Sequence, residues 1–172
     1  MPGRLRSGYQ SNTSVTTVVP GALQAGSLFI SVIDGEICRS TAMKNILFVC
    51  VENSCRSQMA EGFAKMLGNG ELNAHSSGSK PSGVVNPKAI ASMSLVGYDL
   101  SKHESKSLDE IPQIDYDYLV TMGCGDACPS VCAKIRLDWQ IPDPKHMEEK
   151  DFAEVRDLIR DQVTTLIDSF ED

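Results

Sequence analysis

The stretch KNILFVCVENSCRSQMAEGFAKMLG, Lys44 to Gly68, joins an uninterrupted apolar run to a segment of helical periodicity through a short polar loop. KNILFVC has the length and continuity of a strand buried on both faces. In SQMAEGFAKMLG, Met59, Phe63, Met66 and Leu67 fall on one helical face, and Gly68 marks the stop. The alternation continues along the chain. ELNAHSSGS (Glu71–Ser79) reads as a second strand, and NPKAIASMSLVG (Asn86–Gly97) as a helix capped by Asn86, opened by Pro87 and closed by Gly97. YDYLVTMG (Tyr116–Gly123) is a third buried strand and KIRLDW (Lys134–Trp139) a fourth. Phe152, Val155, Leu158, Ile159, Val163, Leu166, Ile167 and Phe170 then repeat at helical spacing. Strands alternating with helices predict an α/β domain built on a parallel sheet covered on both faces.

A chain of 172 residues, 41% hydrophobic, supports one domain with a sizeable core. Sixteen basic residues against 23 acidic ones leave a formal charge of -7 with no basic run, which argues against a nucleic-acid partner. No apolar stretch approaches the roughly 18 to 20 residues of a membrane span, and the opening segment lacks the order of a secretory signal. The expectation is a cytoplasmic monomer without membrane association. Six cysteines in such a chain point to reactive or metal-binding thiols rather than a disulfide framework. Residues 1–42 differ from the rest: Ser, Thr and Gly are frequent, and no acidic residue precedes Asp34. They are expected to form a poorly ordered N-terminal extension to a domain spanning 43–172. The weaker alternative is an organelle-targeting segment carrying Arg4 and Arg6.

In a parallel α/β sheet, ligands sit beyond the carboxyl ends of the strands, and the loop after the first strand is the usual place. That loop runs from Cys50 to Arg56. Backbone amides of Glu52, Asn53, Ser54, Cys55, Arg56 and Ser57, in a tight loop running into a helix N-terminus, would cradle a tetrahedral oxyanion. Arg56 can add a planar fork of donors. The same field favours the thiolate of Cys50, aimed at the centre of the anion, with Ser57 donating to it. Asn53 would hold the turn by bonding its own backbone. The competing reading of Cys50 is a small buried hydrophobe at a strand end. Cys55 reads as a spectator.

The motif ILFVCVENSCRSQMAEGFA resembles the oxyanion loop of the low-molecular-weight tyrosine phosphatase superfamily, and most closely that of the arsenate reductases built on the same fold, of the thioredoxin-coupled type. The resemblance covers Met43 to about Ile167. It implies a four-stranded parallel sheet with helices on both faces, a thiol nucleophile, an oxyanion-binding arginine and a late aspartate acting as acid. In DWQIPDPKHM the best match for that acid is Asp143, between Pro142 and Pro144, with Asp138 as the alternative. Phosphatases of the fold follow the acid with aromatic residues that grip the substrate ring. Here Pro144, Lys145 and His146 follow, and the clamp is missing.

TMGCGDACPSVC instead supplies Cys124, Cys128 and Cys132. By the reductases' pattern Cys124 resolves the Cys50 adduct and Cys128, before Pro129, carries the disulfide outward. The spacing between the two is shorter than is usual there, and Cys132 is the alternative to Cys128. Zinc held by these thiols with His146, or ordinary buried thiols, are the competing readings of the cluster. His75, His103 and His146 read as surface or hydrogen-bonded residues rather than catalytic bases, and Trp139 as packing. The resemblance therefore implies arsenate reduction with no metal and no tightly bound cofactor, using an external thiol donor such as thioredoxin, glutaredoxin or a small thiol. The rival readings are a phosphatase acting on phosphotyrosine or phosphoarginine, and a redox-responsive oxyanion-binding module.

Overall fold

The computed structural model describes residues 30–33, 36–39, 43–123 and 131–170. The chain falls into two units, Met1–Thr41 and Ala42–Asp172. In the first, β1 (Ile30–Ile33) and β2 (Glu36–Arg39) pair antiparallel, Ile30 opposite Arg39 and Ile33 opposite Glu36. The expectation of a poorly ordered extension otherwise lies outside the described residues.

The second unit is organised around β3 (Lys44–Cys50), where Ile46, Leu47, Phe48 and Val49 are all inaccessible to solvent. A strand buried on both faces must lie inside a sheet. It is flanked by β4 (Leu72–Gly78) and β5 (Tyr116–Thr121), and β6 (Ala133–Asp138) pairs with β5. All pairings are parallel, giving the order β4-β3-β5-β6. The sheet is the four-stranded one expected. Its helices are α1 (Arg56–Leu67), α2 (Pro87–Ser94) and α3 (Glu149–Asp168).

Alternation along β3 divides the core. Ile46 and Phe48 join Met59, Ala60 and Phe63 of α1, Ala89 and Met93 of α2, and Phe152, Val155, Ile159 and Val163 of α3 in one cluster. Leu47 and Val49 face the other way, into a smaller cluster with Ile111, Tyr116 and Leu119, backed by Leu108 of a single 3-10 turn, Leu108–Glu110. Among the described residues all three α-helices contribute to the first cluster, and the second face is backed by this turn rather than by an α-helix. Two positions assigned to apolar helix faces lie outside the core: Met66 and Leu158 are exposed. Instead α1 buries Gln58 and Glu61, which periodicity alone assigns to the solvent side. Trp139 is buried against Phe48, ring centroids 5.8 Å apart.

The cap of α2 follows the sequence: Asn86 Oδ1 accepts from Lys88 N at 2.8 Å, with Pro87 in the first turn. Helix α1 differs, since its N-cap, Cys55, makes no side-chain cap hydrogen bond. The N–H groups of that first turn are left for something other than a cap.

One glycine is fixed by close approach. A Cβ on Gly78, opposite Cys50 in the β3–β4 ladder, would lie 2.7 Å from Val51 O and 2.9 Å from Asn53 N. Those are backbone atoms that cannot swing aside. Gly78→Ala is expected to destabilise the fold by about 1–3 kcal/mol, as overpacking does, and to weaken oxyanion binding by displacing the loop. Urea unfolding and phosphate titration of the variant measure the two effects.

Candidate active site

Where the loop's carbonyls go decides what its N–H groups can do. The segment after β4 runs alongside the loop and takes them in turn. Cys50 O accepts from Ser79 N at 3.2 Å, Val51 O from Lys80 N at 2.8 Å, Glu52 O from Ser82 N at 3.0 Å and Ser54 O from Asn86 N at 2.9 Å. Asn53 O accepts from Gln58 Nε2 at 3.1 Å. Among the described residues, the N–H groups of Glu52, Ser54, Cys55, Arg56 and Ser57 find no acceptor. A loop whose carbonyls are tied on one side and whose amides are left unbonded has the donor set of an oxyanion cradle.

The turn depends on Asn53, which is buried and holds φ 48°, in the left-handed region that asparagine tolerates better than most residues. Its side chain does not bond its own backbone as expected. Asn53 Oδ1 accepts from Lys106 N at 2.7 Å and Gln58 Nε2 at 2.9 Å, which fixes the amide orientation. Asn53 Nδ2 then donates to Ser57 Oγ and to Ser76 Oγ, both at 2.9 Å. Full burial makes satisfaction by the surrounding elements the cheaper arrangement.

These bonds give the site a direction. Ser57 Oγ, already accepting from Asn53, lies 3.0 Å from Cys50 Sγ, so its proton is free to point at the sulfur. Asn53 N donates to the same sulfur at 3.2 Å. Two donors thus converge on Cys50, which is buried at the end of β3, and this is the environment a thiolate needs. On the other branch Ser76 Oγ donates to Glu61 Oε2 at 2.5 Å, and Lys65 Nζ reaches Glu61 Oε1 at 2.5 Å. Burial by itself would raise the Glu61 carboxyl, but the hydrogen bonds from Lys65 and Ser76 hold it below its ordinary value. Gln58 Oε1 accepts from His103 Nδ1 at 2.9 Å, and His103 Nε2 lies 3.0 Å from the Tyr98 hydroxyl. Burial lowers the His103 pKa, favouring the neutral ring, in which Nδ1 donates to Gln58 and Nε2 accepts from the Tyr98 hydroxyl.

Arg56 is buried and anchored at three points. Its Nη1 donates to Met122 O at 2.8 Å and Ile141 O at 3.1 Å, and its Nη2 meets Asp143 Oδ2 at 3.2 Å. The bond to Met122, at the end of β5, and those to the 141–143 loop fix the guanidinium across the strand ends. Asp143 itself is half exposed. Asp138 is engaged elsewhere: Thr121 Oγ1 donates to its Oδ1 at 2.6 Å, and Gln140 Nε2 to its Oδ2. Of the two carboxylates weighed from the sequence, Asp143 is the one in contact with Arg56. Glu52 contributes its backbone to the loop, while its carboxylate pairs with Lys145 at 2.5 Å.

Cys124 and Cys128 lie outside the described residues. Cys132 is exposed and immediately precedes β6, whose first residue, Ala133, pairs with Tyr116 at the amino end of β5. Cys50 is at the carboxyl edge of the same sheet, on the order of 20 Å away at about 3.3 Å per strand residue. The groups that sequence reading missed are Gln58, Glu61, Ser76 and Lys106, whose roles arise from contacts between distant segments, while His103 is hydrogen-bonded, one of the two readings the sequence left open for it. The available signal was polar side chains in the first two turns of α1, next to a helix face that packs on the sheet.

A model of the family described as low molecular weight phosphotyrosine protein phosphatase matches residues 45–172. A protein named glutaredoxin arsenate reductase, from Synechocystis sp., is 43% identical over 128 residues, covering 73% of this chain and 97% of that one. An arsenate reductase of Staphylococcus aureus is 41% identical over 121 residues, covering 68% and 91%. Among solved structures, an arsenate reductase in the phosphate-binding state superposes with a TM-score of 0.68 at 42% identity, covering 74% of this chain and 98% of that one. Among the described residues, no helix is long and apolar enough to cross a membrane.

Burial pushes the Cys55 thiol up to about 11, against a partly offsetting bond from Ser54. Cys55 is therefore expected to stay protonated and resist alkylation by iodoacetamide at pH 7 to 9. Its labelling should rise only as pH approaches the raised value. Mass spectrometry of the tryptic peptides, with Cys55→Ser as the blank, checks this.

Proposed function

Because the chain belongs to the low molecular weight phosphotyrosine protein phosphatase family, we propose that its site reduces arsenate to arsenite. It is an oxidoreductase that takes its electrons from an external thiol donor. The observation that carries the reading is the pair of donors on Cys50 Sγ, Ser57 Oγ at 3.0 Å and Asn53 N at 3.2 Å, at the base of a loop with unbonded amides.

Each residue then has a role. The loop amides and Arg56 bind the oxyanion, and the Cys50 thiolate attacks arsenic in line. As the sulfur–arsenic bond forms, one oxygen leaves as water, protonated by Asp143, whose contact with Arg56 holds it near that oxygen. Cys124 then attacks Cys50 Sγ. The electron pair of the broken sulfur–arsenic bond passes to arsenic, arsenite is released and a disulfide remains. Cys128 exchanges into that disulfide, which a dithiol protein of the glutaredoxin or thioredoxin class reduces. A thiol cascade of this kind belongs in the reducing cytoplasm.

The direct test is consumption of NADPH, through a glutaredoxin or thioredoxin system, on adding arsenate, with phosphoester hydrolysis measured in parallel. Cys50→Ser should abolish arsenate reduction, since a hydroxyl cannot replace the thiolate; full activity would remove the nucleophile assignment. Asp143→Asn should slow the first step by about a hundredfold while arsenate still binds, and Asp138→Asn should not. Steady-state rates and phosphate titrations separate the two.

The position of Cys132 yields another outcome. To reach Cys50 it would have to peel β6 away from β5. Cys132→Ser should therefore turn over at the wild-type rate. Cys128→Ser should release about one arsenite per protein and stop with Cys50 and Cys124 joined, because Cys132 cannot take over. Single-turnover arsenite release and disulfide mapping by mass spectrometry decide this.

A further inference from the structure

One contact across the mouth of the site is not used in the chemistry above. Glu52, the third residue of the loop, and Lys145, two positions beyond Asp143, meet at 2.5 Å although they lie 93 positions apart in the chain. Lys145 also donates its backbone N–H to Asp143 Oδ1 at 3.2 Å, and Glu52 Oε2 accepts from Ser54 Oγ at 3.3 Å. The ion pair thus runs from the rim of the oxyanion loop to the loop that carries the acid, beside the acid itself. The two side chains are 40% and 33% exposed, which sets the pair at the surface of the site rather than in its floor. Mutual hydrogen bonding is the leading cause that holds Lys145 above and Glu52 below their ordinary values, so both are charged across the neutral range. Lys88 Nζ, bonded to Met147 O at 2.6 Å, fastens the far side of the same loop to α2.

In-line attack puts the departing oxygen opposite Cys50 Sγ, on the side of the acid. For an inorganic oxyanion that oxygen carries only a proton. For a phosphate monoester it carries an organic group, which must extend outward past Asp143 and so past the two residues bonded beside it. Residues 140–149, QIPDPKHMEE, contain no Phe, Tyr or Trp that could receive such a group. We propose that the Lys145–Glu52 ion pair is a specificity latch, closing the exit for an ester substituent and restricting the site to compact inorganic oxyanions. It rests on the arsenate-reductase reading above, and it makes Glu52 and Lys145 specificity residues rather than catalytic ones.

Charge and obstruction separate in a small set of variants. Lys145→Gln opens the latch but leaves a bare carboxylate beside a dianion, so KM for arsenate should rise about tenfold with little change in kcat. Glu52→Gln opens it and frees an ammonium, so KM should fall about threefold. The double variant removes both charges and should return KM to near the wild-type value. In all three, kcat/KM for p-nitrophenyl phosphate hydrolysis, relative to that for arsenate, should rise about tenfold. Lys145→Arg keeps the pair and should keep the wild-type ratio. A merely structural bridge would move both substrates together and in the same direction in both single variants. An ester-to-arsenate ratio within about twofold of wild type in the double variant overturns the latch while leaving the reductase reading intact. Wild-type protein that reduces no arsenate overturns that reading, and the latch with it.

Discussion

The left-handed turn at Asn53 is the constraint on which the rest of the site depends. A non-glycine residue at φ 48° persists only where its surroundings over-determine it, and here three segments do so. The carboxamide of Asn53 bonds the backbone at Lys106, the side chains of Gln58 and Ser76, and Ser57. Because its oxygen is held by two N–H donors, its nitrogen must face the two serines. Ser57 is thereby left with a proton for Cys50. The orientation of one amide sets the acceptor role of a sulfur atom.

The second determinant is the disposition of carbonyls and charges around the loop. Hydrogen bonds from residues 79–86 hold the loop carbonyls, and Gly78 lets the strand beneath come close enough for them to form. Among the described residues, the amides of Glu52 and of Ser54 to Ser57 have no acceptor, and α1 starts without a side-chain cap. Arg56 is oriented by Met122 O, Ile141 O and Asp143, so the proposed oxyanion binder and the proposed acid are positioned as one unit. The buried Glu61 is compensated by Lys65 and Ser76 rather than by the anion site, which keeps its charge from opposing a bound oxyanion.

The ion pair of Glu52 and Lys145 belongs to a different layer. A partly exposed pair contributes little to stability, and its interest lies in its position. It joins the oxyanion loop to the acid loop where an aromatic grip on an ester would otherwise be built, so local chemistry that serves many oxyanions is narrowed by what surrounds its entrance.

The sequence by itself determined the order of strands and helices, the parallel sheet, the loop from Cys50 to Arg56, the Asn86 cap and the pairing of Asp143 with Asp138 as candidates. The first four follow from periodicity, from turn chemistry and from a contiguous motif, all properties of neighbouring residues, and the two aspartates from the family resemblance that the motif carries. Only the tertiary structure decided the rest. Gln58 and Glu61 are buried although periodicity puts them outside, because the polar segments packed on α1 offer hydrogen bonds in exchange for desolvation. Asp143 contacts Arg56 and Asp138 does not, because Asp138 ends β6 beside Thr121 while the next loop crosses the strand ends. Cys132 looked like a spare thiol eight residues from Cys124, yet a parallel strand must start at the far edge of the sheet from where its neighbour ended. Distance along a chain says nothing about such pairs, and the parallel register fixes them.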